Sequence, residues 1–123
     1  MNAVGVLTVH HEDEVRRAAR TVVNATPGFE PLGEAASAEE ALEVAMALRP
    51  GLALVGVGMP GIDGFETSRR LVDALPDTTV VLLYAAAAPS ENVLAGCQAA
   101  AVLHVEALAP VSLQSLWAEH VSD

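Results

Sequence analysis

The 123-residue chain contains no lysine. Its cations are six arginines, Arg16, Arg17, Arg20, Arg49, Arg69 and Arg70, set against sixteen acids, for a formal net charge of -10. Phosphate contacts need clustered cations, so this chain by itself is a poor nucleic-acid binder. The phosphate-binding loop of a nucleotide triphosphatase is also missing. Gly56 and Gly58 lack both its long glycine-rich spacing and its closing Lys-Ser/Thr. Cysteine is down to Cys97, so no internal disulfide can form, and a reducing compartment, the cytoplasm, is expected. The N-terminus has no basic segment followed by an apolar core, and no apolar run approaches the roughly 20 residues of a membrane span. No membrane contact is therefore expected. What is there is 52% hydrophobic, ample for the core of one domain over residues 1–123.

Periodicity alternates along the chain. Val4–Val9 reads as a strand and Glu12–Ala25 as a helix with Val15, Ala19, Val22 and Val23 as its apolar stripe. Pro27-Gly28 marks a turn before Glu30–Ala35, a weaker strand whose Pro31 and glutamates suit a sheet edge. Ser37-Ala-Glu-Glu40 is a capping box opening a helix to about Leu48. Asp63 can cap a third helix, closed by Pro76, and Thr79–Tyr84 is a continuous run suited to a strand covered on both faces. A fourth helix starts at Pro89 or Ser90, a short strand covers Ala101–Val105, and a last helix runs from Pro110 to about Val121. Strict alternation predicts an α/β fold, a doubly wound parallel sheet with helices on both faces; alternation alone leaves the strand order open.

The central stretch is Leu52-Ala-Leu-Val-Gly-Val-Gly-Met-Pro-Gly-Ile-Asp-Gly64. A buried strand breaks at Gly56 and Gly58, turns at Met59-Pro60-Gly61 and restarts as a helix at Asp63. That arrangement opens a crevice at a strand's carboxyl end, where open α/β sheets place their sites.

The run Met59-Pro-x-x-Asp-Gly64 after a hydrophobic strand resembles the phosphorylation loop of bacterial response-regulator receiver domains. Val6-Leu-Thr-Val9 with His10-His11-Glu12, Gly33 to Leu42, Arg49-Pro50, and Leu75-Pro-Asp77 leading into the fourth strand extend the resemblance over almost the whole chain. Pro27-Gly-Phe29 and Leu75-Pro-Asp77 are most similar to receivers of LuxR/NarL-type regulators. The resemblance implies a flavodoxin-like (βα)5 fold with strand order 2-1-3-4-5.

It also implies a phosphorylation pocket, and each of its positions departs from the family's chemistry. Glycine, Gly56, stands where the phosphorylated Asp is expected, and His10 and His11 stand at the acidic pair that holds Mg²⁺. Tyr84 replaces the small hydroxyl residue ending the fourth strand. The lysine position falls on Glu106 or Val105. Two imidazoles and a missing side chain suit Mg²⁺ poorly, so no metal and no cofactor are expected. The two adjacent histidines are expected to point differently, as neighbours on a strand do, and Glu12 and Asp13 to favour a helix N-terminus rather than replace the acids. Cys97 is expected to serve as a small core hydrophobe. The aromatic position on the fifth strand falls at Val102 or Leu103, which leaves the family's swinging pair without its ring.

Loss of a side chain at Gly56 is expected to leave a depression between His10 and His11 on one side and Tyr84 on the other. Either Tyr84 fills it, or a small molecule pairs there with His10, His11 or Tyr84. Val93 and Leu94 on the fourth helix, with Val111, Leu116 and Trp117 on the last, are candidate contacts of a homodimer, although Leu113 and Trp117 also suit the core. These features imply a non-phosphorylatable regulatory domain of a transcription regulator, reaching DNA only through a C-terminal helix-turn-helix domain outside this chain. The end of the chain just past the fifth helix agrees with a linker following there. The alternatives are a stand-alone protein-interaction module or a small-molecule-sensing domain. No nucleophile–base pair or paired catalytic carboxylates suggest an enzyme.

Overall fold

In the computed structural model, which describes residues 3–58 and 63–121, strands and helices alternate as the periodicity requires. They are β1 (Val4–Val9), α1 (Asp13–Asn24), β2 (Phe29–Ala35), α2 (Ala38–Leu48), β3 (Leu52–Gly56), α3 (Gly64–Ala74), β4 (Thr79–Tyr84), α4 (Glu91–Cys97), β5 (Ala101–His104) and α5 (Pro110–Val121). A single 3-10 turn over Val105–Ala107 separates β5 from α5. The expected turn at Met59-Pro60-Gly61 lies outside the described residues.

The five strands are parallel in the order β2-β1-β3-β4-β5, the flavodoxin-like doubly wound sheet. β3 is central, and all five of its residues are buried, which is why it reads as an unbroken apolar run. Strand alternation divides the core in two. Leu7, Val9, Ala53, Val55, Val80 and Leu82 pack with Ala41 and Ala45 of α2, Leu71 and Leu75 at α3, and Cys97 of α4. Val6, Leu52, Leu54, Val81 and Leu83 pack with Val23 of α1 and Leu113 of α5.

Helix starts follow local chemistry. The Ser37 hydroxyl accepts from the Glu40 N–H, and the Glu40 carboxylate accepts in turn from the Ala36 N–H. Asp63 Oδ1 accepts from the Phe65 and Glu66 amides, and the Ser90 hydroxyl from Val93. At the β2 edge, Val6 pairs with Pro31 and Leu7 with Gly33, so Leu32 is bulged next to a residue that has no N–H to give the ladder.

β5 ends at His104 rather than at Val105 as expected. The cause is a side chain: His104 Nδ1 accepts the Glu106 N–H at 3.0 Å and so caps the 3-10 turn, withdrawing Val105 from the ladder.

The candidate site at the carboxyl edge of the sheet

The carboxyl ends of β1, β3, β4 and β5 bring the expected site residues to one edge of the sheet. Val9 pairs with Val55, so His10 and Gly56 follow directly on neighbouring strands. Gly56 pairs with Leu83, and the Val57 N–H donates to the Leu83 carbonyl at 2.9 Å, carrying the β3–β4 contact one residue past the strand. Tyr84 pairs with His104.

The edge next to β1 is closed by hydrogen bonds. His10 is buried, its N–H donates to the Ala35 carbonyl, and its own carbonyl accepts from the Arg16 guanidinium at 2.7 Å. His10 Nδ1 accepts the Glu12 N–H at 3.1 Å, which leaves the ring proton on Nε2 in the neutral form. Burial is the largest influence holding this imidazole below its ordinary value of 6.5; His11 and Arg16 lower it further, against the pull of Glu12. His10 and His11 do not point apart as expected. Their rings stack with centroids 5.3 Å apart and planes at 19°. β1 has ended at Val9, so the up-down alternation of a strand no longer governs the pair.

Asp13 is engaged elsewhere. Its carboxylate pairs with Arg16 and Arg17, and the hydrogen bond from Arg17 holds it below the usual carboxylate range. Glu12 is the N-cap of α1, and Asp13 and Glu14 fill its first turn, as expected of acids at a helix N-terminus. The donors at this edge thus do not fit Mg²⁺. One imidazole nitrogen and one carbonyl are already committed, Asp13 is paired, and Gly56 offers no oxygen beyond its backbone. Among the described residues no group of three or more His, Cys, Asp or Glu side chains converges on a point.

Gly56 is buried, and the expected depression is not over it. The first residue of α3, Gly64, sits so close that a Cβ there would collide with the Gly56 carbonyl oxygen. A cavity of about 320 Å³ opens one step further along, lined by Val57, Gly58, Phe65, Pro89 and the run Tyr84–Ala87. His10 and His11 do not line it. Tyr84 is half-buried and forms one wall, leaving the cavity open.

The imidazole that meets Tyr84 is His104, a residue the sequence reading did not single out. Its ring stands edge to face with the phenol at 5.1 Å and 87°. Because Nδ1 accepts from Glu106, Nε2 carries the proton and donates to the Ala85 carbonyl at 3.1 Å. A signal existed in the spelling: His104-Val-Glu106 repeats the His-x-Glu of His10-His-Glu12, and both rings accept the amide two residues on.

Of the other expected residues, Val93 and Val111 are exposed, the latter 73%. Leu94 is half-buried against the core layer of α2, α3 and α4, and Leu116 and Trp117 against that of α1 and α5. Trp117 also meets Phe29 edge to face. Glu106 is exposed and Val105 half-buried. Cys97 is buried in the core as expected.

The family model for the response regulator receiver domain matches residues 6–107. The chain belongs to that family. It is 36% identical over 83 residues to protein-glutamate methylesterase/protein-glutamine glutaminase 1 of Syntrophus aciditrophicus, covering 68% of this chain and 23% of that protein. It is 38% identical over 78 residues to response regulator GacA of Pseudomonas viridiflava, covering 63% of this chain and 36% of that protein. The receiver thus spans well under half the length of these curated relatives. Among solved structures, the response regulator domain of Thermotoga maritima CheB aligns with a TM-score of 0.81 at 19% identity over 99% of both chains. The receiver domain of NarL from Mycobacterium tuberculosis aligns with 0.77 at 21% identity over 94% of this chain and 96% of that one. These structures share its fold. Among the described residues no helix is long and apolar enough to cross a membrane.

Proposed function

We propose that this receiver domain works without phosphorylation of an aspartate and regulates by contact with other protein surfaces. The observation that supports this most directly is the end of β3. Gly56 is buried with no side chain, and on the neighbouring strand the residue that follows Val9, the register partner of Val55, is a hydrogen-bonded His10 rather than an acid. A phosphoryl group arriving here would find no nucleophile, no hard-oxygen metal site and no lysine, so positioning and charge stabilisation are absent together.

The relatives supply the setting. Response regulator GacA is 38% identical, and a LuxR-family two-component response regulator from Aurantimonas shares the fold with a TM-score of 0.78. In this reading residues 1–123 are the N-terminal regulatory domain of a cytoplasmic transcription regulator, and DNA is reached through a C-terminal helix-turn-helix domain. The chain regulates and does not catalyse.

Homodimerisation is the contact we favour. Two chains of charge -10 repel, but Thr78–Val105 carries one charged side chain, Glu91, and Val93 lies exposed within that stretch. Val111 on α5 is a second exposed apolar residue available to such a contact.

The test is incubation of the purified chain with acetyl phosphate and Mg²⁺, followed by intact-mass measurement. No mass increase is expected. A phosphoryl adduct mapped to Asp63 or Asp13 would sink the reading.

A further inference from the structure

The cavity beside Tyr84 is a place where short side chains leave room at the working edge of the sheet. Its floor continues the core layer of α2, α3 and α4, since Val57, Phe65 and Tyr84 all pack against that layer. Its rim is made of almost nothing. Ala85–Ala88 are four exposed methyl groups in succession, and Gly58 is bare backbone at φ 76°, with no atom of the described residues within 4 Å of where a Cβ would be. Any long side chain along that rim would fill the space.

The chemistry of the lining narrows what fits. The Tyr84 phenol is its one hydrogen-bonding side chain, and none of the lining residues is charged, in a chain with 22 charged residues. Two aromatic rings, Phe65 and Tyr84, face the same space, and Tyr84 is braced from behind by His104. A volume of about 320 Å³ lies at the low end for ligand pockets, roughly 300–1,000 Å³.

We propose that this cavity binds a small, uncharged, planar aromatic molecule of about two fused rings, with one polar group hydrogen-bonded to Tyr84. The inference deepens the reading of a receiver without phosphoryl input, because it supplies an input at the same edge of the sheet. An occupant would lie against the loop from Tyr84 to Ser90 and so bear on where α4 begins. Phosphate and other anions are poorly matched, since no cation faces the cavity and no lysine or arginine follows Arg70.

Indole is the probe. Added to the ¹⁵N-labelled chain, it should cause saturable amide shifts at Val57, Gly58, Phe65 and Tyr84–Ala87, with a Kd on the order of 1 mM for so small a molecule. Ala86→Met should weaken binding about ten-fold by filling the rim. Ala86→Ser, which leaves the space open, should bind as the wild type does. Ala86 is exposed, so equal melting temperatures would show that both variants fold. The proposal is overturned by no saturable shift, by shifts centred instead on the groove of Val15, Ala18 and Val105, or by equal affinity in Ala86→Met. If the same amides shift with protein concentration alone and indole has no further effect, a second copy occupies the cavity and the small-molecule assignment is wrong. The acetyl phosphate assay stands apart from all of these. A phosphoryl adduct would remove the regulatory reading and leave the indole result intact.

Discussion

Tyr84 and His104, paired in register at the ends of β4 and β5, hold each other edge to face with centroids 5.1 Å apart. His104 spends both ring nitrogens on backbone, one on the Ala85 carbonyl and one on the Glu106 amide. One imidazole thus fastens the loop after β4 to the turn after β5, and fixes a phenol between them.

Replacing His104 should show that clasp. His104→Ala removes two hydrogen bonds and an aromatic contact from a half-buried position, and is expected to cost about 1–3 kcal/mol in urea unfolding. His104→Asn can still accept from the Glu106 amide, so it should lie between wild type and Ala. Hydrogen exchange at Glu106 should quicken in His104→Ala and much less in His104→Asn. Equal exchange in all three would show that the ring is a bystander.

Much of this fold could be read from the chain because single residues declare themselves. β1, β4 and α5 have the expected bounds, and the Ser37 and Asp63 caps lie where their side chains predict. Strand order came from resemblance, since alternation sets the direction of strands and not their sequence in the sheet. The candidate site was less legible. Gly56, Tyr84 and the histidines were found at the right edge, but which of them touch depends on where each strand stops. β1 ends before His10, so the two histidines stack with each other. β5 ends at His104, so that ring faces Tyr84 instead of continuing a ladder. Such endings are decided by one side-chain bond to a backbone amide, and hydrophobic period carries no trace of it.

Gly58 and Gly64, on either side of residues 59–62, should resist substitution for different reasons. Gly64→Ala places a methyl on the Gly56 carbonyl, in buried backbone that has no flexible neighbour to yield, and should cost about 1–3 kcal/mol or more. Gly58 meets none of the described residues but has φ 76°, so Gly58→Ala should cost about 1–2 kcal/mol of left-handed strain. Gly58→Asn should recover part of that, because Asn tolerates this region, whereas Gly64→Asn should be worse than Gly64→Ala. Chemical denaturation of the four variants distinguishes crowding from strain.

Self-association should depend on salt and on Val111. If chains of like charge meet through their least charged surface, raising ionic strength toward about 0.5 M should strengthen the dimer by screening the remaining repulsion. Val111→Asp adds a charge at an exposed apolar position and should shift sedimentation toward monomer without changing the melting temperature of the monomer. A wild type that sediments as monomer at all concentrations and salts would end the dimer reading. A dimer indifferent to Val111→Asp would move the interface away from α5.

Stability should fall on mild acidification, and His10 should account for part of the fall. Its folded-state pKa is lowered, chiefly by burial, with His11 and Arg16 adding to the effect and Glu12 opposing it. The unfolded chain therefore takes up a proton on this residue before the folded one does. Wherever the unfolded state binds more protons, stability rises with pH. The contribution of His10 is thus complete above its unfolded value of 6.5 and is lost as pH drops through the lower folded value. Protonation would also place a second N–H against the Glu12 amide, where Nδ1 now accepts. Urea midpoints measured from about pH 7.5 down to about pH 5.5 should decline for the wild type. His10→Asn keeps an acceptor for the Glu12 N–H but cannot titrate, so its decline over the same window should be shallower. The two proteins differ only at residue 10, so the difference between their slopes reports the replacement of His10. Parallel curves would mean that His10 does not couple protonation to folding.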